Sequence, residues 1–309
     1  MTVYQKPLAL VDSLNPVAAE LELAAALTAP GARLTLLDVL SDQGWTWNLL
    51  GRKAEEIRQK LREQKEPALV KVASDLATKS GVRVEGLVQQ GRTGQTVIKQ
   101  VQAGQHDVVF LRAKGPHSRR VGGIGDTAWE LLRRCPCNVL LIGEKVSQAV
   151  PKKILVSLDA AAEDQPHIAL NKKIISAAAQ LAVQLGASLT ALHCWAIYGE
   201  SLVKDYMSAA EFKDIEEGTR KFGEDGLQSL TAELTEKPSE LHLKLIRGLP
   251  NAEIPAFANK NHFDLVVMGT VARRGISGAL LGNTAEEVLP QLQGSILAIK
   301  PDDFVSSVS

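Results

Sequence analysis

The stretch Met268–Leu289 reads "MGTVARRGISGALLGNTAEEVL". An apolar run ends at Met268, glycines follow at 269, 275, 278 and 282, and Gly-Asn-Thr leads into a helical apolar pattern. The order strand, glycine loop, helix start places such a loop at the carboxyl edge of an open parallel sheet, where ligands bind. Thr284 and Glu287 have the Thr-x-x-Glu spacing of a capping box, which predicts the helix start at Thr284.

The same segment occurs earlier in the chain. Shifted by 157 positions, Gly91–Gly143 falls on Gly248–Lys300 without a gap, so that Asp107 meets Asp264, Gly125 meets Gly282, Thr127 meets Thr284 and Glu130 meets Glu287. With a small change of offset, "GARLTLLDV" at Gly31 matches "GASLTALHC" at Gly186, and the run ending at Asp12 matches the run ending at Asp159. An internal repeat of this length means two copies of one domain. We place them at 1–147 and 148–309, joined by the polar linker "GEKVSQAVPKK".

Each half alternates short β-branched runs with longer amphipathic segments. In the second half the pattern predicts strands at 153–158, 188–194, 240–246, 264–268 and 295–299, with helices at about 166–185, 208–234, 251–260 and 284–291. Apolar strands separated by helices imply an α/β fold, here two doubly wound, mostly parallel five-stranded sheets with helices on both faces. In the first half, Ile57, Leu61, Leu69, Val72 and Leu76 recur at helical spacing, and Pro67 predicts a kink or break within that helix.

Composition narrows the function. The 309 residues carry 35 basic and 35 acidic side chains, so no net field favours nucleic acid or an anionic membrane, and neither is expected as a partner. No segment approaches the ~18 uncharged apolar residues of a membrane helix, and the N-terminus lacks a leader pattern. Three cysteines are too few for a disulfide framework, and a cytoplasmic, reduced protein is the expectation. "CPC" at 135–137 has one residue too few for Cys-x-x-Cys and lacks a second pair, and the histidines are scattered, so no metal site is expected. No nucleophile elbow is present, and no catalytic residue is assigned.

The glycines of the loop can admit a phosphate to the backbone, or they can supply positive φ in a connection. Neither the Walker pattern nor Gly-x-Gly-x-x-Gly occurs. Two copies of this five-strand unit, each with Asp after strand one and a spaced glycine loop before the last helix, resemble the universal stress protein family. The second half is most similar to the E-type tandem members found in bacteria. The resemblance implies a stress-related binding or regulatory protein rather than an enzyme, with a possible ATP or AMP site in the second domain.

Nucleotide-binding members of that family carry Gly-x-x-Gly, nine residues, then Gly with Ser or Thr. Here Gly269 and Gly282 keep their places, Ala272 stands for the second glycine and Asn283 for the hydroxyl residue. The site this implies comprises Gly269, Ala272, Arg273, Gly282, Asn283 and Thr284 toward phosphate, and Asp159 toward adenine. In the first half Arg112 takes the first glycine place and Asp126 follows Gly125, so no triphosphate is expected there.

Two further readings stand beside this one. Trp45, Trp47, Trp195 and Tyr198 follow the second strand of each half, either as a satellite core or as the wall of an apolar pocket, which leaves room for a nucleotide-independent scaffold or apolar-ligand carrier. Slow nucleotide hydrolysis would need a base that the sequence does not identify. The final strands "NVLLI" and "SILAI" are apolar, and an apolar edge strand invites pairing, so an intrachain pseudo-dimer is expected, with a homodimer through the aromatic loops also open.

Overall fold

A computed structural model of the chain describes residues 4–42, 53–115, 123–143, 150–270 and 281–308. It divides into two compact units, one built on Met1–Val150 with Asp302–Ser309, the other on Pro151–Arg273 and Leu281–Pro301.

Unit 1 runs β1 (Pro7–Leu10), α1 (Ala18–Ala26), β2 (Arg33–Ser41), α2 (Lys53–Ser80), β3 (Arg83–Gly91), α3 (Thr93–Gly104), β4 (Val108–Arg112), α4 (Asp126–Arg134) and β5 (Asn138–Ile142). Its strands lie in the order β3-β2-β1-β4-β5, and each neighbouring pair is parallel. Unit 2 runs β6 (Lys153–Ser157), α5 (Gln165–Leu185), β7 (Ser188–Trp195), α6 (Glu200–Asp205), α7 (Ala209–Ala232), β8 (Leu241–Arg247), α8 (Pro250–Lys260), β9 (Leu265–Gly269), α9 (Asn283–Val288), a single 3-10 turn Leu289–Gln291 and β10 (Ser295–Ile299). Its order is β10-β9-β6-β7-β8, again parallel. This is the doubly wound topology the repeat predicts.

Central strands are buried on both faces, which is why they read as unbroken apolar runs. Leu8, Val108, Val109, Leu155, Val156, Leu265 and Val267 have no exposed surface. Asp107 and its counterpart Asp264 tie the amino edges. Asp107 accepts from the Gln5 and Lys6 backbone N–H groups at 2.6 and 3.2 Å, and Asp264 from Lys152 and Lys153 at 2.8 and 2.9 Å. One carboxylate thus binds adjacent strand starts in each unit.

Helix ends follow local chemistry. Asp164 caps α5 by accepting from His167 N–H at 3.1 Å, and Gly186 ends it at φ 58°, a left-handed turn that glycine adopts without strain. Ser208 and Glu211 form a reciprocal capping box that starts α7, in agreement with the helix predicted at about 208–234, and α6 is a separate short helix before it.

Two expectations need correction. α2 is one helix from Lys53 to Ser80 with Pro67 inside it, so the predicted break does not occur. The predicted capping boxes at Thr284–Glu287 and Thr127–Glu130 do not form. The helices start earlier, with Gly282 and Gly125 as N-caps and no side-chain cap, because each glycine N–H is already held by the strand-end carbonyl, Thr270 at 3.0 Å and Ala113 at 2.7 Å. Glu287 instead accepts from Asn251 Nδ2 on α8 at 2.5 Å, and Glu130 lies 3.8 Å from Arg92 Nε.

Candidate ligand-binding edge

In unit 2 the chain leaves β6 toward β7 and β8 on one side, while β9 and β10 lie on the other. The order therefore reverses between β6 and β9, which pair directly through Ile154–Leu265, Leu155–Val266 and Val156–Val267. Continuing that register, Asp159 and Thr270 leave the sheet side by side, at the switch point where a doubly wound sheet opens a crevice.

The loop carrying Asp159 is held by its backbone. Asn171 of α5, itself buried, accepts from Asp159 N–H at 3.1 Å and donates to Asp159 O at 2.7 Å. The next N–H, of Ala160, points to His193 Nδ1 on β7 at 3.3 Å. From the other side α7 comes close through two glycines: a β-carbon on Gly226 would lie 2.0 Å from Ala160 O, and one on Gly223 2.6 Å from His193 Cδ2. With its main chain so fixed, Asp159 stays exposed and its carboxylate has no partner among the described residues.

Across the switch point, Gly269 ends β9. A β-carbon there would meet Ile174 Cδ1 at 3.0 Å and Leu170 Cδ2 at 3.3 Å, so this glycine serves the packing of α5 whatever else it does. Thr270 is buried and its hydroxyl has no hydrogen-bond partner among the described residues. Gly282 caps α9 at φ −69° and ψ 144°, and Asn283 and Thr284 are exposed on the first two helical positions. The structure brings Asp159, Gly269, Gly282, Asn283 and Thr284 to one edge of unit 2, whereas Ala272 and Arg273 lie outside the described residues. Among the described residues no group of three His, Cys, Asp or Glu could hold a metal ion.

The same edge of unit 1 is filled by its own side chains. Lys65 Nζ of α2 lies 3.0 Å from Asp12 Oδ1 and 2.9 Å from both oxygens of Asp38. Asp38 occupies the place of His193 in the repeat and accepts from Ser13 N–H at 2.8 Å, as His193 faces Ala160. Burial works against charge on both Asp12 and Lys65. Bonds from Asn15 and Lys65 nevertheless hold the Asp12 carboxyl below its ordinary range, and the two aspartates hold the lysine above its own. At the end of β4, Arg112 pairs with Glu20 of α1, whose carboxyl is pushed up by burial against the pull of that arginine.

Sequence reading named Asp12 and Arg112 but missed Lys65, Asp38, His193 and Asn171. A signal for Lys65 was present: it falls on the apolar stripe Ile57, Leu61, Leu69 at four-residue spacing, where an ammonium must meet a buried anion. The aromatic residues divide. Trp195 is buried beneath Arg247, whose guanidinium carbon lies 5.7 Å from its ring centre, as a satellite core requires, whereas Tyr198 is fully exposed. Trp45 and Trp47 lie outside the described residues.

Two repeated doubly wound domains, each presenting an aspartate and a glycine-capped helix at the switch point, define a tandem of one α/β fold. The model of the universal stress protein family matches residues 4–143 and again 152–300, and the chain belongs to that family. It is 33% identical to universal stress protein E of Salmonella typhi over 235 residues, covering 74% of this chain and 72% of that one. To its Escherichia coli K12 counterpart it is 32% identical over the same shares. Among solved structures, a functionally unknown protein of Pseudomonas aeruginosa PAO1 is 25% identical with a TM-score of 0.65, covering 97% of this chain and 94% of that one. A universal stress protein of Archaeoglobus fulgidus shares the fold at 16% identity and a TM-score of 0.62.

Proposed function

We propose that this is a stress-response binding protein, not an enzyme, whose second unit takes one adenine nucleotide, ATP or AMP, while the first takes none. The observation that carries this reading is the contrast between the two edges. Lys65 and Arg112 fill unit 1, whereas in unit 2 the Asp159 carboxylate, the Thr270 hydroxyl and the exposed Asn283 and Thr284 side chains have no partner among the described residues. Asp159 would accept from the adenine amino group, and the groups from Gly269 to Thr284 would face phosphate. The three thiols, none in a disulfide, fit a cytoplasmic setting.

Calorimetric titration of the whole chain with ATP and with AMP tests this. One site per chain is expected, with affinity falling about tenfold or more, or 1.4 kcal/mol, in Asp159→Ala and in Gly282→Asp. Gly282 has a φ any residue adopts, so the aspartate adds its charge without backbone strain. Unaltered affinity in both variants, or two sites per chain, would overturn the proposal.

A second reading has its own observation. Tyr198, Leu202 and Tyr206, on and beside α6, are 100%, 66% and 88% exposed, an apolar surface suited to a protein partner or a second copy. Sedimentation of the wild type against Tyr198→Ser/Tyr206→Ser reads a homodimer directly; identical profiles would exclude it at this surface.

A further inference from the structure

Unit 1 carries chemistry away from the ligand edge. Cys135 and Cys137 lie just before β5, at the opposite, amino edge of its sheet, and the corresponding residues of unit 2 are Leu292 and Gly294. The pair follows from local sequence. Helix α4 stops at Arg134 because Pro136 forces the residue before it to be extended, and Cys135 has φ −67° and ψ 130°. Residues two apart on extended backbone project to the same side, and the two Sγ atoms stand 3.5 Å apart.

We propose that Cys135 and Cys137 form a modification site, a dithiol that closes to an intrachain disulfide by exchange with a low-molecular-weight disulfide. A disulfide bond is about 2.05 Å long, so the sulfurs need to close by only about 1.5 Å. Cys135 is fully buried and Cys137 is 9% exposed, which makes Cys137 the entry point. Its thiol loses a proton to solvent, and the thiolate attacks one sulfur of R–S–S–R, expelling R–S⁻, which takes up a proton. Cys135 then loses its proton and attacks Cys137 Sγ, breaking the mixed disulfide and releasing the second R–SH. Two protein thiols are oxidised by two electrons and one small disulfide is reduced to two thiols.

Burial decides between this chemistry and metal binding. A metal would need buried thiolates and a third donor that the described residues do not provide, whereas both dithiol and disulfide are neutral. The hydrogen bond with Cys135, and then burial, hold the Cys137 thiol well above its usual range, so exchange at neutral pH is slow and accelerates with alkalinity. A ring with a single intervening residue departs from relaxed disulfide geometry, which makes the bond readily reduced. Cys194 of unit 2 is an internal control, a buried thiol pushed up to about 12 by burial and far from a second cysteine in sequence.

The experiment incubates the folded full-length chain with excess oxidised glutathione at pH 7 to 9, alkylates the remaining thiols and maps the peptides by mass spectrometry. The expected product is a Cys135–Cys137 disulfide at least tenfold more abundant than any Cys194 adduct, forming faster as pH rises and reversed by dithiothreitol. Cys135→Ser should stop at a glutathione adduct on Cys137, and Cys137→Ser should give no adduct. A stable glutathione adduct on wild-type Cys137, or two alkylatable thiols until urea is added, would overturn the proposal.

Discussion

Replacing Lys65 by methionine removes the one cation among the described residues that bonds both Asp12 and Asp38 while keeping the length of the side chain. Asp38 is 2% exposed and among the described residues would keep only Ser13 N–H as a partner for its buried charge, whereas Asp12, at 25% side-chain exposure, can recruit water. Breaking a buried pair by removing one partner costs about 3–5 kcal/mol. Most of this should fall on Asp38, and for a unit of this size the loss lowers its melting temperature by on the order of 10 °C. The second variant, Lys65→Met/Asp38→Asn, keeps an oxygen for Ser13 N–H and removes the orphaned charge, so it should recover at least half of the loss.

The pH dependence has a defined sign. Asp12 titrates below its ordinary value of 3.8 in the folded state, so its contribution is present above that pH and disappears as pH falls through the folded value. Lys65 titrates above 10.5, so its contribution is present below that pH and is lost as pH rises through its folded value. The deficit of Lys65→Met is therefore largest between these two values and narrows in acid below 3.8, as Asp12 takes up a proton. Scanning calorimetry of the three proteins from pH 2 to 8 reads this directly. A single variant within 1 kcal/mol of wild type, or a double variant no better than the single, would refute the account of a plugged crevice.

Gly226→Ala places a methyl 2.0 Å from the Ala160 carbonyl and should cost about 1–3 kcal/mol, weakening nucleotide binding because the Asp159 loop must move; titration and urea melts report both. Gly269→Ala meets only the mobile ends of Ile174 and Leu170 and should cost less than Gly226→Ala in the same melts. Ser208→Ala removes the reciprocal cap of α7 and should cost about 1 kcal/mol in a urea melt, leaving nucleotide affinity unchanged.

The duplication and the alternation of strands and helices along each copy were legible in the sequence. Each rests on a local pattern: apolar runs of strand length, 3.6-residue stripes and a repeat offset that one chain displays in full. Gly282 and the two residues after it could be named because a helix start is set by neighbours in sequence, whereas Asp159 was named through the family resemblance. The capping boxes were misread for the same reason, since the pattern does not show that a strand-end carbonyl already holds the glycine N–H. Only tertiary structure showed that Lys65, 27 residues from Asp38 and 53 from Asp12, reaches both. Likewise Asn171 and the glycines of α7 turn out to fix the Asp159 loop from two helices. Such contacts depend on how helices seat on the sheet, and burial decides their energetics: the same lysine in water would leave the first crevice open.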